Sequence, residues 1–283
     1  MSGTPFSLLL PVYAGDRPDY VRRAFDSAVH EQTLRPHEVV VVRDGPVDGP
    51  LQQCLDGLTA SSPVPVRVVE LTVNVGLARA LEAGLAACSH DVVARMDADD
   101  VSLPGRFATQ LPVLEAGADI VGSALAEFGD SEETVLAVRV PPLTHEQIAT
   151  RARIHSPFNH PTVVFRRRAV AAAGGYRELP LLEDYWLFAR MIATGARAAN
   201  VAEPLVLYRV GAGAYARRGG WRLLRSELVL QRHLLSERFI TVPQFLRNVA
   251  VRAGYRLVPM VVRRFAYRRV FAVRVPSADR EVP

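Results

Sequence analysis

The sequence predicts an α/β fold: a largely parallel β-sheet with helices on both faces, followed by a helical extension. Three observations lead there. Short β-rich runs alternate with helical stretches of about 10–15 residues through the first half, the pattern of right-handed crossovers. Hydrophobic residues make up 49% of the 283, enough for a large core. Beyond Gly219-Gly220 the pattern changes and everything reads as helix.

In chain order, residues 6–12 read as a strand and 20–32 as an amphipathic helix. Val39 to Val42 stand in succession, so 38–43 reads as a strand buried on both faces. Helix 51–59, strand 64–71 and the Ala- and Leu-rich helix 76–88 follow. A fourth strand spans 91–96, a helix after Pro104 spans 106–115, and a fifth strand spans 120–127. The second half is less regular, with strand 162–166, helix 183–194 and strand 201–208 returning to the sheet. Helices are expected over 221–238, 243–253 and 255–271. No repeat or long linker appears, so the simplest division is a compact α/β domain over 1–215 and a helical extension over 216–283.

Composition narrows the classes. Cys54 and Cys88 are too few for a disulfide framework and suit a reducing compartment. No apolar run approaches the roughly 20 residues a spanning helix needs, and no signal peptide is evident. All 34 basic residues are Arg, which reads as a coding bias. Their placement is more informative. Eight of them fall between Gln244 and Arg274, where there is no Asp or Glu, so a basic tail follows a mildly acidic body.

Ligands of such sheets bind beyond the carboxyl ends of the strands. The first strand ends at Pro11-Val12-Tyr13 and the second at Arg43-Asp44-Gly45. The third leads to Asn74-Val75-Gly76 and the fourth to Asp97-Ala98-Asp99-Asp100. Three carboxylates within four residues repel one another unless a cation joins them. Hard oxygens of this kind suit Mg²⁺ or Mn²⁺, which also bind substrate phosphates. The plain alternative is a helix cap, for which one Asp would suffice.

These segments, in this order, resemble a family 2 glycosyltransferase with the GT-A fold, a Rossmann-like sheet flanked by helices. Further matching segments are Leu103-Pro104-Gly105-Arg106-Phe107, Asn159-His160-Pro161-Thr162, Gly174-Gly175-Tyr176-Arg177, Glu183-Asp184-Tyr185 and Leu207-Tyr208-Arg209. The stretch from Arg209 to Gly220 is similar to a bacterial branch acting on surface polysaccharides and glycolipids. The resemblance implies an inverting transferase using a nucleotide diphosphate sugar, with a lean towards UDP, and a glycan or lipid-linked acceptor. It implies that Pro11, Val12 and Tyr13 line the base pocket and that Asp44 meets the base. Asn74 and Gly76 would let a helix amino terminus approach the diphosphate. Asp97, with Ala98 beside it, would contact ribose and, with Asp99, a divalent ion. Asp184 would be the catalytic base, with Glu183 beside it towards the acceptor.

Some positions depart from the family pattern. Ala14, Arg43 and Glu82 replace frequent Asn, Asp and Asn, and Val210-Gly211 stand where some relatives place a metal-binding His, so the third protein ligand is open. His160 is a candidate acceptor contact, although a His before Pro is more often structural. Arg217-Arg218, in a Gly-rich stretch, suit a phosphate. The basic, apolar tail suggests an interfacial helix on the inner face of a cell membrane, whereas no nucleic-acid recognition motif accompanies it. The expected location is therefore cytoplasmic and peripheral. Two rivals compete: a sugar nucleotidyltransferase, and a non-catalytic protein that binds nucleotide sugars.

Overall fold

The computed structural model describes residues 3–210 and 221–257. Four parallel strands form its amino-terminal half: β1 (Phe6–Tyr13), β2 (Glu38–Asp44), β3 (Val66–Leu71) and β4 (Val92–Arg95), in the order β3-β2-β1-β4. Helices α1 (Pro18–Val29), α2 (Gly49–Ser61) and α3 (Leu77–Ala87) connect them.

The valine run of β2 shows why no polar alternation is needed. Val39 and Val41 join Phe6, Leu8 and Leu10 in a layer against α1 and α2. Val40 and Val42 join Leu9 in the opposite layer, against α3. Both faces are covered, so every position is apolar.

The second half comprises β5 (Val101–Ser102), α4 (Arg106–Glu115), β6 (Ile120–Phe128), β7 (Val135–Arg139), α5 (His145–Ala152), a 3₁₀ turn (His160–Thr162), β8 (Val164–Arg166), α6 (Arg167–Ala172), α7 (Glu183–Ala193) and β9 (Ala198–Arg209). The sheet continues from β4 as β8-β6-β9-β5. β8 is antiparallel to both β4 and β6, β9 is parallel to β6, and β7 pairs along β6. Pro204 falls at the register shift between Ser123 and Leu125, where the ladder is interrupted. β5, β7, α5 and α6 were not anticipated from sequence. β5 has two residues, α6 has six, and Val135 and Leu136 of β7 are exposed, so these three carry no strong apolar period. α5, by contrast, buries Ile148 and Ala152 and opens on a Thr144–Gln147 capping box that could have marked it.

The extension supplies α8 (Trp221–Ser236) and α9 (Val242–Leu257). Leu230, Leu234 and Ile240 pack on Tyr185, Trp186 and Ala189 of α7, and His233 stacks on Trp186 at 4.2 Å. Asn248 and Arg252 of α9 donate to the carbonyls of Arg153 and Ile154. α9 runs unbroken where the sequence suggested a division after residue 253. Arg217, Arg218 and the helix expected over 258–271 lie outside the described residues. No described helix is long and apolar enough to cross a membrane.

Candidate active site

The carboxyl ends of the parallel strands bring the first group of residues together. Asp44 is 5% exposed and accepts from the backbone amides of Val75 (2.7 Å) and Gly76 (3.0 Å), while Asn74 Nδ2 donates to its carbonyl (3.2 Å). Gly45 makes this approach possible: its φ is +88°, and a Cβ there would lie 2.6 Å from the Asn74 nitrogen. α3 then starts at Leu77 with no side-chain cap. Because Asp44 takes the Val75 and Gly76 amides, the first-turn amides of α3 itself remain for an anion. Pro11 and Val12 are buried in β1, and Tyr13 is exposed at its end.

The end of β4 is held by buried guanidinium groups. Arg95, 1% exposed, forks onto both carboxylate oxygens of half-buried Asp97, with one bond of 2.9 Å from Nη1 to Oδ2. Arg106, fully buried, donates to the Arg95 carbonyl at 2.6 Å, and burial together with the Arg95 charge brings its pKa down to about 9. The Arg209 backbone amide donates to Asp100 Oδ1 and its Nε to the Asp99 carbonyl, both at 2.9 Å. The Arg209 guanidinium lies over Tyr20 and Phe128, 4.0 and 4.4 Å from their ring centres. Asp100 is 1% exposed with Oδ2 unpartnered, and burial, then the charges of Asp97 and Asp99, push its carboxyl well above the usual range. Ala98 is buried between the acids.

Asp16 joins this group without having been picked from sequence. Its Oδ2 accepts from the Tyr13 amide at 2.9 Å. Burial raises its pKa to about 7 against that hydrogen bond, and Asp99 and Asp97 add to the rise. The signal was available: it is a carboxylate three residues beyond the end of β1.

These contacts modify the argument that only an ion could reconcile the acids, because Arg95 and Arg209 already do part of that. Among the described residues no three His, Cys, Asp or Glu side chains are gathered closely enough to enclose a metal ion unaided. The oxygen-only donor set and the unpartnered Asp100 Oδ2 nevertheless suit a hard cation. Magnesium-like ions commonly take one or two carboxylates and complete their shell with phosphate and water.

The second acidic group opens α7. Leu181 has φ +71° and Leu182 is half-extended, a strained entry costing about 1–2 kcal/mol that places Glu183 and Asp184 in the first helical turn. Burial lifts Asp184 to about 6, opposed by the Tyr185 amide and the Arg95 charge, with Asp97 adding to the rise. Burial, then Asp184, lifts Glu183 to about 7. Arg95 and Asp97 act on both, so the two acidic groups face one site.

His160 stands between them and the loop before α7. Its Nδ1 is 4.0 Å from Asp184 Oδ2 and its Nε2 is 2.9 Å from the Tyr176 hydroxyl. Burial, then Arg95, hold it well below the ordinary histidine range, so the contact with Asp184 is not an ion pair. Of the residues chosen from sequence, all but Arg217 and Arg218 are described. Arg95, Asp100, Arg209 and Tyr176 had been noted only as parts of motifs.

A half-parallel sheet with acids at its strand ends and a carboxylate pair opposite defines the GT-A class of transferases. TarS 1-349 of S. aureus in complex with UDP-GlcNAc shares the fold, with a TM-score of 0.63 at 17% identity over 94% of this chain and 74% of that one. The glycosyl transferase family 2 profile matches residues 7–175, and the chain belongs to that family. It is 36% identical to the amylovoran biosynthesis glycosyltransferase AmsE of Erwinia amylovora, over 93% of this chain and 98% of AmsE. It is 32% identical to the UDP-Gal:alpha-D-GlcNAc-diphosphoundecaprenol beta-1,3-galactosyltransferase of Escherichia coli, over 94% and 96%. The protein is a family 2 glycosyltransferase, which sets aside the nucleotidyltransferase and the non-catalytic alternatives.

Proposed function

We propose that the protein transfers a hexose from a UDP-sugar to a hydroxyl of a glycan carried on a polyprenyl diphosphate, inverting the anomeric carbon. The observation that carries this reading is the place of Asp184, half-buried in the first turn of α7 with its Oδ2 4.0 Å from His160 Nδ1. It lies within the field of the Arg95–Asp97 pair, and burial raises its pKa to about 6. A base of that strength is ionised at neutral pH yet still basic enough to take a proton. The uridine lean has support from the UDP-GlcNAc and UDP complexes of TarS and from the donor named for the E. coli relative. The lipid-linked acceptor has support from that relative's name.

In this reading the 1–215 domain holds the donor and Asp184 removes the acceptor proton as its oxygen attacks the anomeric carbon. The C1–oxygen bond to the β-phosphate breaks on the opposite face in a single displacement. Pro11, Val12, Tyr13 and Asp44 hold the base, and the amino terminus of α3 after Asn74 and Gly76 faces the diphosphate. Asp97 meets the ribose, and Asp99 with Asp97 would hold Mn²⁺ or Mg²⁺, which when bound would supply charge neutralisation at the leaving diphosphate. Glu183 faces the acceptor, and Arg217 and Arg218, which suit a phosphate by their chemistry, would grip one. The 216–283 extension rests on the inner face of the membrane. Exposed Val242, Leu246 and Val251 on α9 and the arginine-rich sequence after it support that placement.

The test supplies Mn²⁺, a panel of UDP-hexoses beginning with UDP-galactose, and α-GlcNAc-diphosphoundecaprenol. UDP release that needs both acceptor and ion, with a β-linked product, is expected. Release of pyrophosphate, or turnover unaffected by chelation, contradicts the reading. For the membrane, Leu246→Glu combined with Val242→Glu is expected to lower flotation with anionic liposomes. Equal flotation removes that part.

A further inference from the structure

The segment joining α6 to α7 has more internal order than a connecting loop requires. Gly174 and Gly175 have φ of +77° and +67°, so the chain reverses sharply before Tyr176. Arg190 of α7, 5% exposed, donates to the carbonyls of Ala173 and Gly175. Glu82 of α3 accepts from the Tyr176 amide at 2.5 Å, and a Cβ on Gly175 would lie 2.7 Å from both Glu82 carboxylate oxygens. The turn is therefore held from two helices at once, one of which starts at the diphosphate-facing end of the sheet. What it presents is the Tyr176 hydroxyl, 2.9 Å from His160 Nε2. The His160 ring is packed between Tyr176 and Phe188, each about 5.8 Å away between centres. Its other nitrogen faces Asp184.

We propose that Tyr176 and His160 form a positioning relay for the general base: the Tyr176 hydroxyl donates to His160 Nε2, which leaves the proton on Nδ1, aimed at Asp184 Oδ2. The inference rests on Asp184 being the base. Two physical points support the direction of the relay. Tyr176 is buried, its hydroxyl pKa is raised, and it remains a donor throughout the working range. A neutral imidazole can then offer only one N–H, and with Nε2 accepting, that N–H is on Nδ1.

Neutrality matters to the chemistry. A charged partner at this distance would stabilise the carboxylate and weaken it as a base, whereas a neutral N–H orients it at little cost in basicity. The 4.0 Å separation shortens to a hydrogen bond when substrates bind, as catalytic contacts commonly do. The ionisable groups facing Asp184 are Arg95 on β4, Asp97 after it, Glu183 beside it, His160 on the 3₁₀ turn and Tyr176 before α7. Only Arg95 among them is a cation, and its fork is directed at Asp97.

The experiment compares Tyr176→Phe, His160→Asn, His160→Gln and Asp184→Asn in the full chain, with saturation kinetics and ring-¹⁵N histidine spectra. Tyr176→Phe is expected to lower kcat about tenfold, a fraction of the ~100-fold or more that a general base contributes, with donor KM unchanged within about twofold. The His160 spectrum is expected to show a proton on Nδ1 in the wild type and to lose that preference in Tyr176→Phe. Asn can place an amide near the Nδ1 position and Gln cannot, so His160→Asn is expected to retain more kcat than His160→Gln. That pair keeps the test decisive if Tyr176→Phe fails to fold. If Asp184→Asn is inactive while the other variants keep wild-type kcat and the tautomer does not change, the relay is overturned and the base stands. If Asp184→Asn stays active, the base assignment falls and the relay with it.

Discussion

The two acidic groups of the site are built in opposite ways. At the end of β4 the Arg95 guanidinium forks onto Asp97, while Arg209 donates its backbone amide to Asp100 and its Nε to the carbonyl of Asp99. At the start of α7, His160 stands 4.0 Å from Asp184 with Tyr176 behind it, and both are neutral. Burial outweighs the opposing backbone amides and the Arg95 charge, and Glu183 and Asp184 rise to about 7 and 6. The first arrangement gathers oxygen donors around a guanidinium, with burial pushing Asp100 and Asp16 up, which suits the binding of a hard cation. The second holds a carboxylate close to its protonation point, which suits taking a proton. One residue type takes on two chemical characters because its surroundings differ.

The largest effect expected from this contrast is on turnover. Asp184→Asn removes the proton acceptor without changing shape, and kcat should fall about 10³-fold with donor KM little altered, since base catalysis contributes ~10²–10⁴. Initial rates at saturating donor and acceptor measure it, and a loss confined to KM would break the contrast. Asp99→Asn should act on the other side, lowering kcat/KM about 100-fold through the response to Mn²⁺, readable in a metal titration. An unchanged metal response would remove Asp99 from the ion.

Arg95→Met leaves Asp97 without its counter-charge. Because the Asp97 side chain is 29% exposed, water offsets part of the loss, and about 2–3 kcal/mol of stability should go, below the range for a fully buried pair. Urea unfolding tests it, and an unchanged midpoint would mean that the fork contributes nothing.

The smallest effect concerns pH. A base must be deprotonated, so kcat should rise with pH up to about 6–7 and then level off, with about a tenfold deficit at pH 5. For stability the sign is reversed. These carboxyl pKa values are raised on folding, so their contribution is fully present below about pH 4 and is lost as pH climbs through 6–7. Asp184→Asn should therefore gain melting temperature over the wild type at pH 8 relative to pH 4. A flat difference would show that Asp184 is not held near neutrality.

Local pattern made part of this site legible. Asp44, Asn74, Gly76, Asp97 and Asp99 each follow a β-rich run directly, and strand ends are where such sheets bind ligands. Asp184 was found through its motif, since a carboxylate pair opening a helix is also ordinary dipole compensation. Asp16 carried the same strand-end signal, three residues past β1, but its burial and its proximity to Asp97 and Asp99, more than 80 positions away, exist only in the folded chain.

The sequence by itself determined the order of elements in the parallel half, because a run such as Val39–Val42 can be satisfied only where both faces are covered. It also determined which residue types stand at the strand ends. Only the tertiary structure decided that β8 would lie antiparallel between β4 and β6, that Arg95 would turn onto Asp97, and that His160 would meet both Tyr176 and Asp184. The physical reason is that periodicity and propensity act between near neighbours. Burial and the field of a charge act through space, and they set the protonation of a carboxyl group only after the chain has closed around it.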